Sequence, residues 1–160
     1  QGRPAAIRYP RGAAFKGLFE SRAPIEAGKS EMLYDEGGIL LLAVGSMVKT
    51  ALKVREMLAA QGQKCSIVNV RFVQPMDTEC LREAVGKYSL VVTMEENVHS
   101  GGFGEHVAAW YAEQGLNAPL LQIAIPDMFV THGTPQELCR LTGIDADTVV
   151  SKIQNRVGNT

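Results

Sequence analysis

From residue 39 onward, continuous apolar runs alternate with stretches whose apolar positions recur at helical spacing. Ile39–Val44 is apolar throughout, the pattern of a strand covered on both faces. Gly45 and Ser46 follow, and Ser46 is placed to N-cap a helix over residues 47–60. That helix carries Val48, Ala51, Leu52, Met57, Leu58 and Ala59 and stops at Gly62. Cys65–Val70 reads as a second strand. Pro75-Met76-Asp77 then turns the chain, and Asp77 caps a helix whose inner face is Cys80, Leu81, Ala84, Val85 and Tyr88. Residues 90–94 form a third strand and residues 95–100 a loop. Gly101-Gly102-Phe103-Gly104 leads into a helix with Val107, Ala108, Tyr111 and Leu116 inward. Residues 119–125 read as a fourth strand. Thr134-Pro135-Gln136-Glu137 has the residue types of a capping box with Pro at the first helical position. Gly143 ends that helix, and Asp145 starts a last one containing Val149, Val150, Ile153 and Val157.

Strands separated by helices of this length require right-handed crossovers. The predicted class is therefore α/β: three layers, with a mostly parallel sheet and helices on both faces. The first 38 residues break the rhythm. Ala5-Ala6-Ile7-Arg8-Tyr9 reads as a short strand broken by Pro10-Arg11-Gly12. Residues 13–37 read as a linker ending in an edge strand near residues 29–34. Internal repeats and low-complexity tracts are absent from the sequence.

Composition narrows the function classes. A chain of 160 residues is the size of one domain with an attached segment, long enough to bury a core without a metal or disulfide staple. Sixteen basic residues against 17 acidic ones, with no long block of either sign, leave no basic face for nucleic acid or an anionic membrane. The longest apolar run is too short for a membrane span, and no signal peptide opens the chain. It opens at Gln1 without Met and looks like a piece of something longer. Cys65, Cys80 and Cys139 form no Cys-x-x-Cys pair, so neither a disulfide framework nor a zinc site is expected. A reducing cytoplasm fits this usage best.

Candidate chemistry is sparse. The loop Ser100–Gly104 at a helix start either cradles an anion with backbone N–H groups or lets the helix pack closely on the sheet or a partner subunit. It lacks the spacing of a dinucleotide site, as does Gly45-Ser46-Met47. Glu95-Glu96 lies at the carboxyl end of a strand. Either the pair does acid/base work, or one Glu is buried and hydrogen-bonded and the other solvated; adjacent residues pointing apart favour the second. His99, His106 and His132 are not spaced for metal ligation, and no Gly-x-Ser-x-Gly elbow is present. Arg8 and Arg11 flank a Tyr-Pro turn. An Arg fork suits a phosphate or carboxylate, and a pair of surface arginines on a linker is the alternative.

Four segments in this order carry a resemblance: Pro4-Ala5-Ala6-Ile7-Arg8-Tyr9-Pro10-Arg11-Gly12, then Val70-Arg71-Phe72-Val73-Gln74-Pro75-Met76-Asp77, then Glu95-Glu96-Asn97 with Gly101-Gly102-Phe103-Gly104, and Ile125-Pro126-Asp127-Met128-Phe129 with His132-Gly133. They resemble the carboxy-terminal part of the 1-deoxy-D-xylulose-5-phosphate synthase family of the transketolase superfamily, over essentially the whole chain. Gln74 stands where that family usually has Lys, which reads as surface drift.

The resemblance implies a parent enzyme that condenses pyruvate, after decarboxylation, with D-glyceraldehyde 3-phosphate, giving 1-deoxy-D-xylulose 5-phosphate and CO2. The product feeds isoprenoid, thiamine and pyridoxal synthesis. Thiamine diphosphate and magnesium would be held between the amino-terminal and middle domains of the parent. The third domain, here residues 38–160, would support a homodimer. Residues 1–12 would close the middle domain and residues 13–37 would link the two. Arg11 matches the position that contacts the substrate phosphate; the roles of Arg8 and Tyr9 stay open. No Gly-Asp-Gly diphosphate–metal motif and no aminopyrimidine segment is present, so the chain alone is expected to bind no cofactor and turn over no substrate. A dimer contact is expected near Gly101 to Trp110, where a large aromatic adjoins a Gly-rich turn. Two other readings share these features: the β subunit of a 2-oxoacid dehydrogenase decarboxylase component, and a free-standing anion-binding regulatory module.

Overall fold

The computed structural model describes residues 4–7, 9, 15–18 and 23–158. In order, the elements are β1 (Glu31–Tyr34), β2 (Ile39–Val44), α1 (Met47–Ala59), β3 (Cys65–Val70), α2 (Thr78–Ala84), β4 (Leu90–Val98), α3 (Phe103–Glu113), β5 (Leu120–Ile125), α4 (Pro135–Thr142) and α5 (Ala146–Gly158). One five-stranded sheet has the order β1-β3-β2-β4-β5. β2, β3, β4 and β5 are parallel, and β1 joins β3 antiparallel at the edge. This is the α/β class that the alternation predicts.

The central position of β2 explains its unbroken apolar run. Leu41 and Ala43 face one layer, packed with Met47, Ala51, Val54 and Leu58 of α1 and Val149 and Ile153 of α5. Leu40 and Leu42 face the other, with Leu81 of α2 and Phe103, Val107 and Tyr111 of α3. Each fully buried side chain of this size stabilises the fold by roughly 1.5–3 kcal/mol, so the two-sided burial of β2 anchors all three layers. α4 is set off by the capping box the sequence announces. Thr134 accepts the Glu137 N–H, and the Glu137 carboxylate accepts the Thr134 N–H at 2.8 Å. Asp77 caps α2 by accepting the Cys80 N–H at 3.2 Å.

Four local expectations are corrected. Residues 4–7 and 9 are exposed and form no strand, while Arg8 lies outside the described residues. β4 does not stop at Met94; past a register shift it pairs again at Val98 with Ile125, so Glu95 and Glu96 belong to the strand rather than to a loop. α2 ends at Ala84, because Val85 turns extended before Gly86; Tyr88 is buried all the same. Ser46 makes no side-chain cap to α1, its hydroxyl being engaged elsewhere.

Candidate functional site

Parallel sheets bind ligands beyond the carboxyl ends of their strands, where successive crossovers part to opposite sides. Here that point lies between β2 and β4, since the chain leaves β2 for β3 on one side and then crosses to β4 on the other. The segments after β3, β4 and β5 that carry the resemblance all emerge at this end. Across the parting, the Ser46 hydroxyl donates to the Glu96 carboxylate, tying the loop after β2 to the end of β4.

Glu95 is the centre of this region. It is 3% exposed. Its two oxygens accept the backbone N–H groups of Phe103 and Gly104, each at 2.8 Å. A carboxylate at a helix N-terminus satisfies otherwise unpaired donors and meets the positive end of the helix dipole. The anion cradled by the Gly-rich loop is therefore the chain's own side chain. The glycines make the approach possible. A Cβ on Gly102 would lie 2.6 Å from Glu95 Oε1 and 2.7 Å from the Val98 carbonyl, and one on Gly104 would lie 2.6 Å from Thr93 Oγ1. Of the two readings of this loop, close packing on the sheet is the one the geometry supports. Of the Glu pair, one is buried and hydrogen-bonded as expected; Glu96 is half-buried and engaged with Ser46 rather than solvated.

The remaining candidates do not converge. His99, His106 and His132 are all exposed, and no group of three metal-ligating side chains exists among the described residues. Burial pushes the Cys65 thiol up to about 12 and the Cys80 thiol to about 11, so both are protonated, unreactive packing groups at neutral pH. Trp110 is half-buried, tilted against Tyr111 at 5.6 Å and covered by the Arg82 guanidinium at 5.3 Å. Arg11 and Arg8 lie outside the described residues. Thiamine diphosphate and magnesium do not fit what is described. The α3 N-terminus, whose N–H groups would suit a diphosphate, already holds Glu95, and among the described residues no group of three metal-ligating side chains stands ready for a cation.

Sequence reasoning missed a polar cluster at the sheet edge. Arg71 pairs with Glu31 at 2.6 Å, with the side chains 15% and 8% exposed. Asn69 Nδ2 donates to the same carboxylate at 3.3 Å. No periodicity marks such a pair; an acidic residue at the inward start of an edge strand is the only sequence hint.

Comparison with known proteins agrees with this architecture. Residues 28–149 match the family described as transketolase, C-terminal domain. The chain is 45% identical over 158 residues to 1-deoxy-D-xylulose-5-phosphate synthase of Lachnoclostridium phytofermentans, covering 97% of the chain and 25% of that relative. It is 38% identical over 154 residues to the synthase of Aquifex aeolicus, covering 96% and 24%. The chain thus spans about a quarter of the length of the curated relatives it matches. Among solved structures, a split-gene transketolase described as an inactive beta4 tetramer superposes with a TM-score of 0.78 at 30% identity, covering 85% of this chain and 44% of that one. A Pichia stipitis transketolase superposes at 0.63 and 17% identity over 82% of the chain and 18% of that one, a likeness of fold alone.

Proposed function

The chain belongs to the transketolase C-terminal domain family, and on that premise we propose that it is the carboxy-terminal part of a 1-deoxy-D-xylulose-5-phosphate synthase. The observation that carries this reading is the match to synthases along nearly the whole chain, 97% of it at 45% identity in one case. In this reading residues 1–12 end a preceding domain, residues 13–37 link it, and residues 38–160 are the third domain of a cytoplasmic enzyme. The parent condenses pyruvate with D-glyceraldehyde 3-phosphate and releases CO2, using thiamine diphosphate and magnesium held outside this chain. Thiamine diphosphate, when bound there, supplies the carbanion-stabilising chemistry.

The roles left to this chain are positioning and assembly. Arg11 holds the substrate phosphate, a task suited to a permanently charged fork. The domain itself supports a homodimer; the split-gene relative, described as a beta4 tetramer, favours self-association. The contact expected for it lies near Gly101 to Trp110, and Met128, Phe129 and Val130, exposed at the carboxyl end of the sheet, offer a further apolar patch.

The test is an assay of the full-length protein for CO2 release from pyruvate. Release that depends on D-glyceraldehyde 3-phosphate, thiamine diphosphate and magnesium is expected; its absence overturns the reading. Arg11→Met should raise KM for the phosphorylated substrate about 10- to 100-fold, the loss of a charged hydrogen bond, and leave KM for pyruvate unchanged. The isolated 160-residue chain should show no calorimetric heat with thiamine diphosphate and magnesium.

A further inference from the structure

The segment 71–77, which carries much of the resemblance, touches residues 23–30 at both of its ends and at Pro75 between them. Arg71 donates to the Pro24 carbonyl at 3.0 Å and to the Ala23 carbonyl at 3.1 Å while pairing with Glu31. Glu31 in turn accepts the Ala23 N–H at 3.4 Å. At the other end, Asp77 accepts the Ser30 N–H at 2.7 Å with the oxygen not used to cap α2, and Lys29 reaches both Glu79 and Asp77. Between them the chain turns with the Lys29 N–H donating to the Glu26 carbonyl at 3.1 Å. Gly28 crosses Pro75 with φ +76°, so close that a Cβ would stand 3.1 Å from Pro75 Cγ.

These contacts are not what an exposed linker needs for its own sake. The side chains of residues 23–27 are exposed, so little apolar burial holds them, and the attachment is made through their backbone. A largely buried ion pair costs desolvation and is a poor source of stability; its better attested use is to specify one arrangement. Here the Arg71 guanidinium spends its other donors on two linker carbonyls, a fork that ammonium cannot reproduce.

We propose that loop 71–77 is a docking seat for residues 23–30, which cross it as a strap held as one cooperative unit, with Arg71 as its clamp. The unit that folds as the domain then begins at Ala23 rather than at β1. The strap holds whether or not the parent is a synthase.

Amide exchange and limited trypsin cleavage of the full chain test it with two variants. Arg71→Lys keeps a cation opposite Glu31 but cannot span both carbonyls. Gly28→Ala strains the crossing over Pro75. If the strap is one unit, Arg71→Lys should speed exchange of the Ser30 N–H, which Arg71 does not touch, by about tenfold. Cleavage after Lys29 should quicken by a similar factor, and Gly28→Ala should do the same. The amides of β1 should stay within about twofold of the parent chain. Unchanged Ser30 exchange and Lys29 cleavage in Arg71→Lys overturn the strap. So does equal quickening throughout β1, which would make Arg71 a support of the sheet edge only.

Discussion

The Glu95 carboxylate and the Gly104 backbone N–H meet at 2.8 Å, with the matching bond to Phe103 alongside, so α3 begins on a charge supplied by the strand before it. Removing that charge leaves two buried N–H donors unpaired. Glu95→Ala should therefore destabilise the fold by about 2–4 kcal/mol, and Glu95→Gln, which keeps one acceptor, by about half as much. The urea midpoint measures both; a midpoint in Glu95→Gln equal to that of the parent chain would mean the charge contributes nothing.

Gly102 is tied to the same carboxylate. Gly102→Ala places a Cβ 2.6 Å from Glu95 Oε1 and 2.7 Å from the Val98 carbonyl. The cost should be about 1–3 kcal/mol, as for overpacking. In the double variant with Glu95→Ala, the side-chain part of the clash disappears while the backbone part remains. A double-mutant cycle should thus give a coupling of about 0.5 kcal/mol or more; strict additivity would contradict the contact.

Alkaline stability follows from the buried acids. Burial raises Cys65 from 9.0 to about 12, Cys80 from 9.0 to about 11, and Tyr111 from 10.0 to about 12. In the unfolded chain these groups release protons first, so stability is intact below the ordinary thiol range and falls as pH rises through 9 toward 12. The total loss is on the order of several kcal/mol. Denaturation midpoints between neutral pH and strong alkali measure it, and Cys65→Ala should flatten the slope.

The capping box at Thr134 acts locally. Thr134→Ala removes the acceptor for the Glu137 N–H and should cost about 1 kcal/mol. Because α4 is largely exposed, faster amide exchange should be confined to its first turn.

Two leucines separate core from surface. Leu41 is 0% exposed and Leu141 is 53% exposed. Leu41→Ala should cost about 2–5 kcal/mol, while Leu141→Ala should stay within about 0.5 kcal/mol. Thermal unfolding compares them directly.

How far the sequence reached follows from what each feature rests on. The run at 39–44 was legible because a strand buried on both faces has no polar face to interrupt it. Thr134 and Glu137 were legible because a capping box is complete within four residues. Glu95 was only half legible: its partners lie eight and nine residues onward, and the approach depends on a register shift in β4 that leaves no compositional trace. Ser46 has the residue type of a cap, yet a carboxylate from another strand competes for its hydroxyl. Arg71 is legible only as part of a motif, since beside Glu31 its acceptors are main-chain carbonyls that any residue at positions 23 and 24 would present.

A helix start that is already satisfied has a consequence for competition. An open helix N-terminus attracts any phosphorylated metabolite that passes. Such a surface is a decoy wherever a phosphorylated substrate must reach another centre. With Glu95 in place, the start of α3 holds no such opening.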